Sequence, residues 1–174
     1  MDSRPEPTEF GATDVRHYYD KHTDHFVTHG PGGHLGALHR AVWGQGVTAS
    51  ADAFRYVEDQ ILGRLRDLDA ATDRLHVVDL GCGVGASLCY LATRLPMTGT
   101  GLTLSPVQVS HATKRIRDAG LQDRLRCLEA DYCDIPDDIK TADLAYAIES
   151  FVHGPDPSRF FAACAGLVRD GGLL

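Results

Sequence analysis

The chain has 174 residues and a formal net charge of −7, with 17 Lys and Arg against 24 Asp and Glu. That length suits one domain, and the negative balance argues against non-specific binding to nucleic acid or to an anionic membrane surface. No stretch approaches the roughly 18 consecutive apolar residues of a membrane span. The polar start MDSRPEPTEFGATD is unlike a signal peptide and reads as a disordered lead-in over residues 1–12. Five scattered cysteines (Cys82, Cys89, Cys127, Cys133 and Cys164) contain no C-x-x-C. They read as reduced thiols of a cytoplasmic protein, not as a disulfide framework or a zinc site.

Residues 13–21, TDVRHYYDK, read as a short helix capped by Thr13 or Asp14, with Tyr18 and Tyr19 inside it. Six of the nine histidines then fall between His17 and His39. His22, His25 and His29 could turn toward one point, but no Cys or Glu joins them as a ligand set, so no metal is assigned. Surface or hydrogen-bonding histidines, or a donor-rich lid for an anionic substrate group such as a diphosphate, fit the same residues. A glycine loop at 30–33 precedes an expected helix over 34–42. Trp43, the single tryptophan, suits a core or interface position, or an aromatic face that could attract a cation.

Residues 50–68 form a strongly amphipathic helix, with Phe54, Val57, Ile61, Leu62, Leu65 and Leu68 at helical spacing and Ser50 or Asp52 as its cap. The organising stretch follows, LHVVDLGCGVGASLCY over 75–90. Leu75, Val77, Val78 and Leu80 make an apolar run suited to the centre of a parallel sheet. Gly81, Gly83 and Gly85 then make a turn that a ligand could approach without meeting a Cβ, and a helix opens at Ala86. Gly81, Gly83 and Ala86 also fit the loose dinucleotide pattern G-x-G-x-x-G/A. Two features weigh against NAD. Asp79 puts a carboxylate at the mouth of the turn, where a cationic or amine-bearing ligand fits better than a pyrophosphate. The next strand, 97–104, ends in Thr103-Leu104-Ser105 and offers no acid for a ribose.

Pro106 opens a helix over 107–119 that Gly120 ends. A third strand spans 124–130 and a fourth 141–148, with Glu149 to Gly154 at its C-terminal end. Open α/β sheets place their chemistry there. Asp156 caps a last amphipathic helix over 158–168.

In this order, VVDLGCGVG, GTGLTLSPVQVSHA, RLRCLEADYCDIP and ADLAYAIESFVH resemble the motifs of class I S-adenosylmethionine-dependent methyltransferases, over residues 75–174. GLTLSPVQ resembles in particular the sterol, tocopherol and cyclopropane-forming branch, which acts on small, often isoprenoid or lipid-like molecules. The resemblance implies an α/β fold: a Rossmann-like methyltransferase sheet over 71–174 under an N-terminal helical lid over 13–70. In the family the final turn leads into further strands, and those C-terminal strands are expected to be missing from this chain.

The resemblance also implies a cofactor, S-adenosyl-L-methionine, with Asp79, Gly81, Gly83, Gly85, Thr103, Leu104, Gln108, Asp131 and Tyr132 around it. Tyr18, or its neighbour Tyr19, would close over the site. Thr103 stands near the place where most of the family has a ribose-binding acid. Asp131 is assigned to the adenine amino group; as a bare residue it also suits a loop cap. Glu149 lies where the reacting methyl would be. With an alkene acceptor, its carboxylate would stabilise a carbocation and then take a proton. With a hydroxyl or amine acceptor, His153 is the base. Read without the family, Glu149 could pair with an arginine and His153 could bond a loop. The partner expected is a small-molecule acceptor, methylated on carbon or, in the near alternative, on oxygen or nitrogen. Mg2+ enters only with a diphosphate acceptor. A non-catalytic cofactor-binding module and a homo-oligomer both remain open.

Overall fold

The computed structural model describes residues 11–69, 75–154 and 156–174. The lead-in expected over 1–12 therefore falls outside the described residues as far as position 10. Five strands, β1 (His76–Leu80), β2 (Thr98–Thr103), β3 (Leu125–Glu129), β4 (Ala142–Tyr146) and β5 (Val168–Leu173), form one sheet. All pair in parallel, in the order β3-β2-β1-β4-β5. The direction of winding changes between β1 and β4, and a crevice opens at such a point beyond the carboxyl ends of the strands.

The two-residue period of β1 explains the layers. Val77 packs with Leu65, Leu88, Leu91, Met97 and Ile116 on one face of the sheet. Val78 and Leu80 pack with Phe160, Cys164 and Leu167 on the other. The first layer draws on helices α2 (Ser50–Asp69), α3 (Ala86–Ala92) and α4 (Pro106–Asp118), and the second on α5 (Pro157–Leu167). Local signals set the ends of two of these helices. Ser105 caps α4 by accepting from the Gln108 N–H at 3.1 Å, and Asp156 caps α5 by accepting from the Ser158 N–H at 2.8 Å.

Helix α1 (Ala12–His29) is longer than its sequence suggests, because nothing interrupts it before Gly30. It starts at Gly11, whose N–H donates to Asp14 Oδ2 at 3.1 Å. Its only buried residue is Thr23, so it rests on α4 through polar contacts instead of an apolar stripe. Ser105 Oγ donates to Asp20 Oδ1 at 2.6 Å, and His111 Nε2 meets Asp24 Oδ1 at 2.7 Å.

Three expectations are corrected. The helix expected over 34–42 is only a 3-10 turn, Gly33–Leu35, stopped by Gly36 in the left-handed region at φ 71°. The chain continues as an irregular strap, pinned where the Val42 N–H donates to the Ala53 carbonyl at 2.8 Å. The strap buries Ala37 and His39 against the rest of the chain. Trp43 is 61% exposed, which excludes the core and the wall of the cavity described below and leaves the interface position. Finally, the chain's end is not without a further strand: residues 168–173 form β5 beside β4, with an irregular register between Ala142 and Leu144. Asp143 anchors it, accepting from Arg169 Nε at 2.6 Å and from the His76 N–H of β1 at 2.7 Å. An arginine and a buried backbone donor thus offset the weak strand preference of Gly171 and Gly172.

Gly101 in β2 makes room for the turn that follows β1. A Cβ there would meet Cys82 Sγ at 2.7 Å and Cys82 Cβ at 2.8 Å. Replacing Gly101 with Ala should therefore cost about 1–3 kcal/mol through overpacking, read as a lowered midpoint in chemical unfolding. A midpoint equal to wild type would show that the turn is free to move.

Candidate active site

The crevice holds a cavity of about 530 Å³, lined by the carboxyl ends of β1, β2 and β4 and roofed by α1 and the strap. A smaller annex of about 50 Å³ adjoins it behind the glycine turn and shares Leu38, His39, Gly81, Gly83 and Ile148 with it. Of the residues expected at the site, Gly81, Gly83, Thr103, Leu104, Gln108, Asp131, Tyr132, Glu149 and His153 line the cavity. Asp79 lines the annex. Two expected residues are elsewhere. Gly85 has φ 72°, and a Cβ on it would stand 3.0 Å from the Ala112 Cβ, so it serves the packing of α3 on α4. Tyr18 is 48% exposed and lies against His22 and Phe26. Helical geometry turns adjacent side chains about 100° apart, and it is Tyr19 that faces the cavity.

The turn leaves β1 sharply because Gly81 and Gly83 take φ values of 96° and 51°. The N–H groups of Gly81 and Cys82 both donate to the Leu102 carbonyl, at 2.9 and 2.8 Å, which ties the turn to β2. Just before it, Asp79 is 3% exposed. Its Oδ2 accepts one protein hydrogen bond, from the Tyr146 hydroxyl at 2.8 Å. The two residues are register partners on β1 and β4, which puts their side chains on one face. Burial pushes the Asp79 carboxyl up to about 7, against the opposing pull of the Tyr146 bond. A buried carboxylate with a single neutral partner, opening on a small polar annex, is poised to accept a cation or an ammonium.

The next part of the wall is neutral. Thr103 Oγ1 donates to Gln108 Oε1 at 2.6 Å, which leaves the Gln108 amide hydrogens as donors beside the cavity. Asp131 Oδ1 accepts from the Cys133 N–H at 2.8 Å, so one carboxylate oxygen fixes the turn and the other remains an acceptor. The Tyr132 hydroxyl donates to the Ser150 carbonyl at 3.1 Å, bracing the loop after β4, and burial pushes that phenol up to about 12.

That loop carries the strained residue. Glu149 has φ 54°, and among the described residues no other non-glycine has a positive φ. Its Oε1 accepts from the Arg40 backbone N–H at 3.1 Å, so the carboxylate meets the strap's main chain, not a guanidinium. His153, in the 3-10 turn Phe151–His153, shares a hydrogen bond between its Nε2 and the Tyr19 hydroxyl at 3.0 Å. Burial, then the nearby Tyr18 and Glu149, raise the Tyr19 phenol above its ordinary range, so it stays neutral.

Sequence reasoning missed His39 and Arg40 because they sit in a segment that reads as helix, and their role depends on the strap folding over the site. The other early histidines take no part in the cavity wall. His25 and His29 stack on each other at 4.9 Å, and among the described residues no three metal-ligating side chains converge. No described helix is long and apolar enough to cross a membrane.

Along the wall run the buried carboxyl of Asp79, the neutral hydrogen-bonding pair Thr103 and Gln108, and an acceptor oxygen of Asp131. The family model for a methyltransferase domain matches residues 78–174. Methyltransferase GfsG of Streptomyces halstedii is 35% identical over 124 residues, 71% of this chain and 43% of that protein. A probable chloroplastic tocopherol O-methyltransferase of Oryza sativa subsp. japonica is 30% identical over 142 residues, 79% of this chain and 39% of that protein. The chain thus spans about two-fifths of the length of these relatives. Among solved structures, the [4+2]-cyclase SpnF superposes with a TM-score of 0.81 at 25% identity, covering 96% of this chain and 60% of that one. A family match that runs from Val78 in β1 to the last residue places this chain in the methyltransferase domain family.

Proposed function

We propose that this chain forms the donor-binding core of an S-adenosylmethionine-dependent methyltransferase that modifies a small molecule. One observation carries the reading: the buried Asp79 carboxyl opens on the annex at the glycine turn, while Asp131 offers a free acceptor oxygen at the far wall of the main cavity. S-adenosylmethionine supplies an electrophilic methyl group on a sulfonium. In this reading Asp79 receives its ammonium, Thr103 and Gln108 face the ribose hydroxyls, and Asp131 accepts from the adenine amine.

For the acceptor we favour an isoprenoid or lipid-like molecule methylated on carbon. Val15, Leu38, Leu104, Ile148 and Val152 give the cavity an apolar wall for such a body. Glu149 is held in that wall by strained backbone and by the Arg40 N–H. A carboxylate fixed there would stabilise a developing carbocation and then remove its proton. A second reading, methylation on oxygen, is supported by the Tyr19–His153 pair, in which the imidazole could take a proton from an acceptor hydroxyl. The probable tocopherol O-methyltransferase among its relatives is named for the same chemistry.

Two experiments test these readings. With prenyl diphosphates, sterols and phenols offered to the complete protein, Glu149→Gln should lower turnover about a hundredfold or more with donor binding kept, and His153→Ala much less. The opposite order would move the chemistry to oxygen and His153. Calorimetry tests the donor site: because the Asp79 carboxyl is neutral below about 7 and ionised above it, affinity for S-adenosylmethionine should rise between pH 6 and pH 8. Asp79→Asn should weaken binding and flatten that dependence. A steep dependence surviving in the variant would assign it to another group.

A further inference from the structure

The glycine turn has a second face, and two thiols meet behind it. Cys82 stands in the middle of the turn, between Gly81 and Gly83. Its main chain is tied to β2, since its N–H donates to the Leu102 carbonyl at 2.8 Å. Its side chain crosses β2 over Gly101, so closely that a Cβ there would meet the Cys82 Sγ at 2.7 Å. Gly101 is the register partner of Cys127 on β3. The bare glycine thus lets Cys82 reach across one strand to the next, and its Sγ lies 3.3 Å from the Cys127 Sγ. The two residues are 45 positions apart in the chain, so the sheet brings them together and no local turn does. Among the described residues no other pair of sulfurs shares a hydrogen bond.

The two sulfurs differ in access. Cys82 is 8% exposed. Its hydrogen bond with Cys127, and then burial, push its thiol well above the ordinary range, so it stays protonated. Cys127 is only partly buried, and it lies on β3, an edge strand of the sheet. A small oxidant therefore reaches Cys127 first, with Cys82 already in contact behind it. That is the arrangement of an attacking and a resolving thiol. Neither sulfur has a part in the methyl transfer proposed above.

We propose that Cys82 and Cys127 form an oxidisable dithiol that reacts with hydrogen peroxide and closes to a disulfide behind the glycine turn. Cys127 gives up its proton, and its sulfur attacks one peroxide oxygen. The O–O bond breaks, and the departing oxygen takes that proton and leaves as water. Cys127 is left as a sulfenic acid. The Cys82 sulfur then attacks the Cys127 sulfur, the S–O bond breaks, and the hydroxide leaves as a second water with the Cys82 proton. The two thiols lose two electrons and two hydrogens, and one peroxide gains them. Bond formation draws the sulfurs inside contact distance, which pulls Cys82 toward β3 and away from the cavity. Gly81 and Gly83, which line the cavity, are its chain neighbours, so the disulfide weakens binding at the turn. That effect on binding rests on the donor reading above, and the bond itself does not.

The test treats the whole chain with hydrogen peroxide, blocks the remaining thiols and maps the peptides by mass spectrometry. The expected product is a Cys82–Cys127 link, two hydrogens lighter than the separate peptides and reversed by dithiothreitol. Cys82→Ser should halt at a Cys127 sulfenic acid that a cyclic diketone captures. A link through Cys89 or another cysteine, a Cys127 sulfinic acid beside a free Cys82, or unmodified thiols throughout overturns the proposal, and the wild-type map decides this even if a variant fails to fold. Calorimetry then compares the reduced and the linked protein. The linked form should bind S-adenosylhomocysteine about fivefold more weakly or worse, as coupled sites do, and dithiothreitol should restore it. Cys127→Ser should keep one affinity with and without peroxide. Equal affinity of the reduced and linked forms overturns the coupling to the turn. Failure of the reduced wild type to bind would instead overturn the donor reading and leave the mapped link standing.

Discussion

A carboxylate buried at the end of a central strand is the constraint around which this site is arranged. Asp79 cannot be solvated where β1 ends, and the sheet gives it only the Tyr146 hydroxyl. A group in that position is tolerated when it is neutral or when a cation completes it. The glycine turn satisfies the second condition by ending the strand one residue later and letting the backbone fold away, which opens the annex at the carboxyl's edge. The turn is in turn rigid, since two of its N–H groups share the Leu102 carbonyl. Strand, carboxylate and turn thus form one mechanical unit.

The N-terminal third of the chain is recruited to the same point by polar contacts. Glu58 reaches from α2 to His39, the Arg40 N–H reaches from the strap to Glu149, and Tyr19 reaches from α1 to His153. Each pairs a residue before the sheet with one that faces the crevice or lies on its loops. Helix α1 buries little apolar surface, so its seat depends on hydrogen bonds to α4, whose individual worth is about 1 kcal/mol. The parallel sheet beneath, by contrast, is held by two continuous apolar layers.

How much of this was legible in the sequence follows the same division. The strands, the glycine turn and the donor-side residues were legible because they rest on local signals: apolar runs for β1, Pro106 and Asp156 at helix starts, three glycines in five residues. Asp79 could be read as a carboxylate near the turn, but its burial depends on Tyr146, 67 residues away. The strap was misread because residues 34–42 have helical composition apart from Gly36, whose left-handed φ ends the turn after one round. Tyr19 was confused with Tyr18 because choosing between neighbours requires the helix's rotation about its axis, which α4 fixes through Asp20 and Asp24. β5 was not foreseen as a strand, since its pairing depends on Asp143 capturing Arg169. Glu58 gave no signal at all: a charged residue inside an amphipathic stripe looks like an error until Arg55, His39 and Ser87 surround it.

The neutral end of β2 becomes intelligible from the charges already present. The family places an acid near Thr103, and here a Thr–Gln pair stands there. Glu58 already raises the Asp79 carboxyl by repulsion, in addition to burial. A further buried acid at the end of the adjacent strand would push Asp79 the same way and hold it neutral. Thr103 and Gln108 can still meet hydroxyls through a neutral hydrogen bond, worth about 1 kcal/mol less than a charged one. Among the described residues, Asp79 is the only carboxylate that lines the annex. On this argument the neutral Thr–Gln pair keeps the anion count around the turn low, which favours ionisation of Asp79.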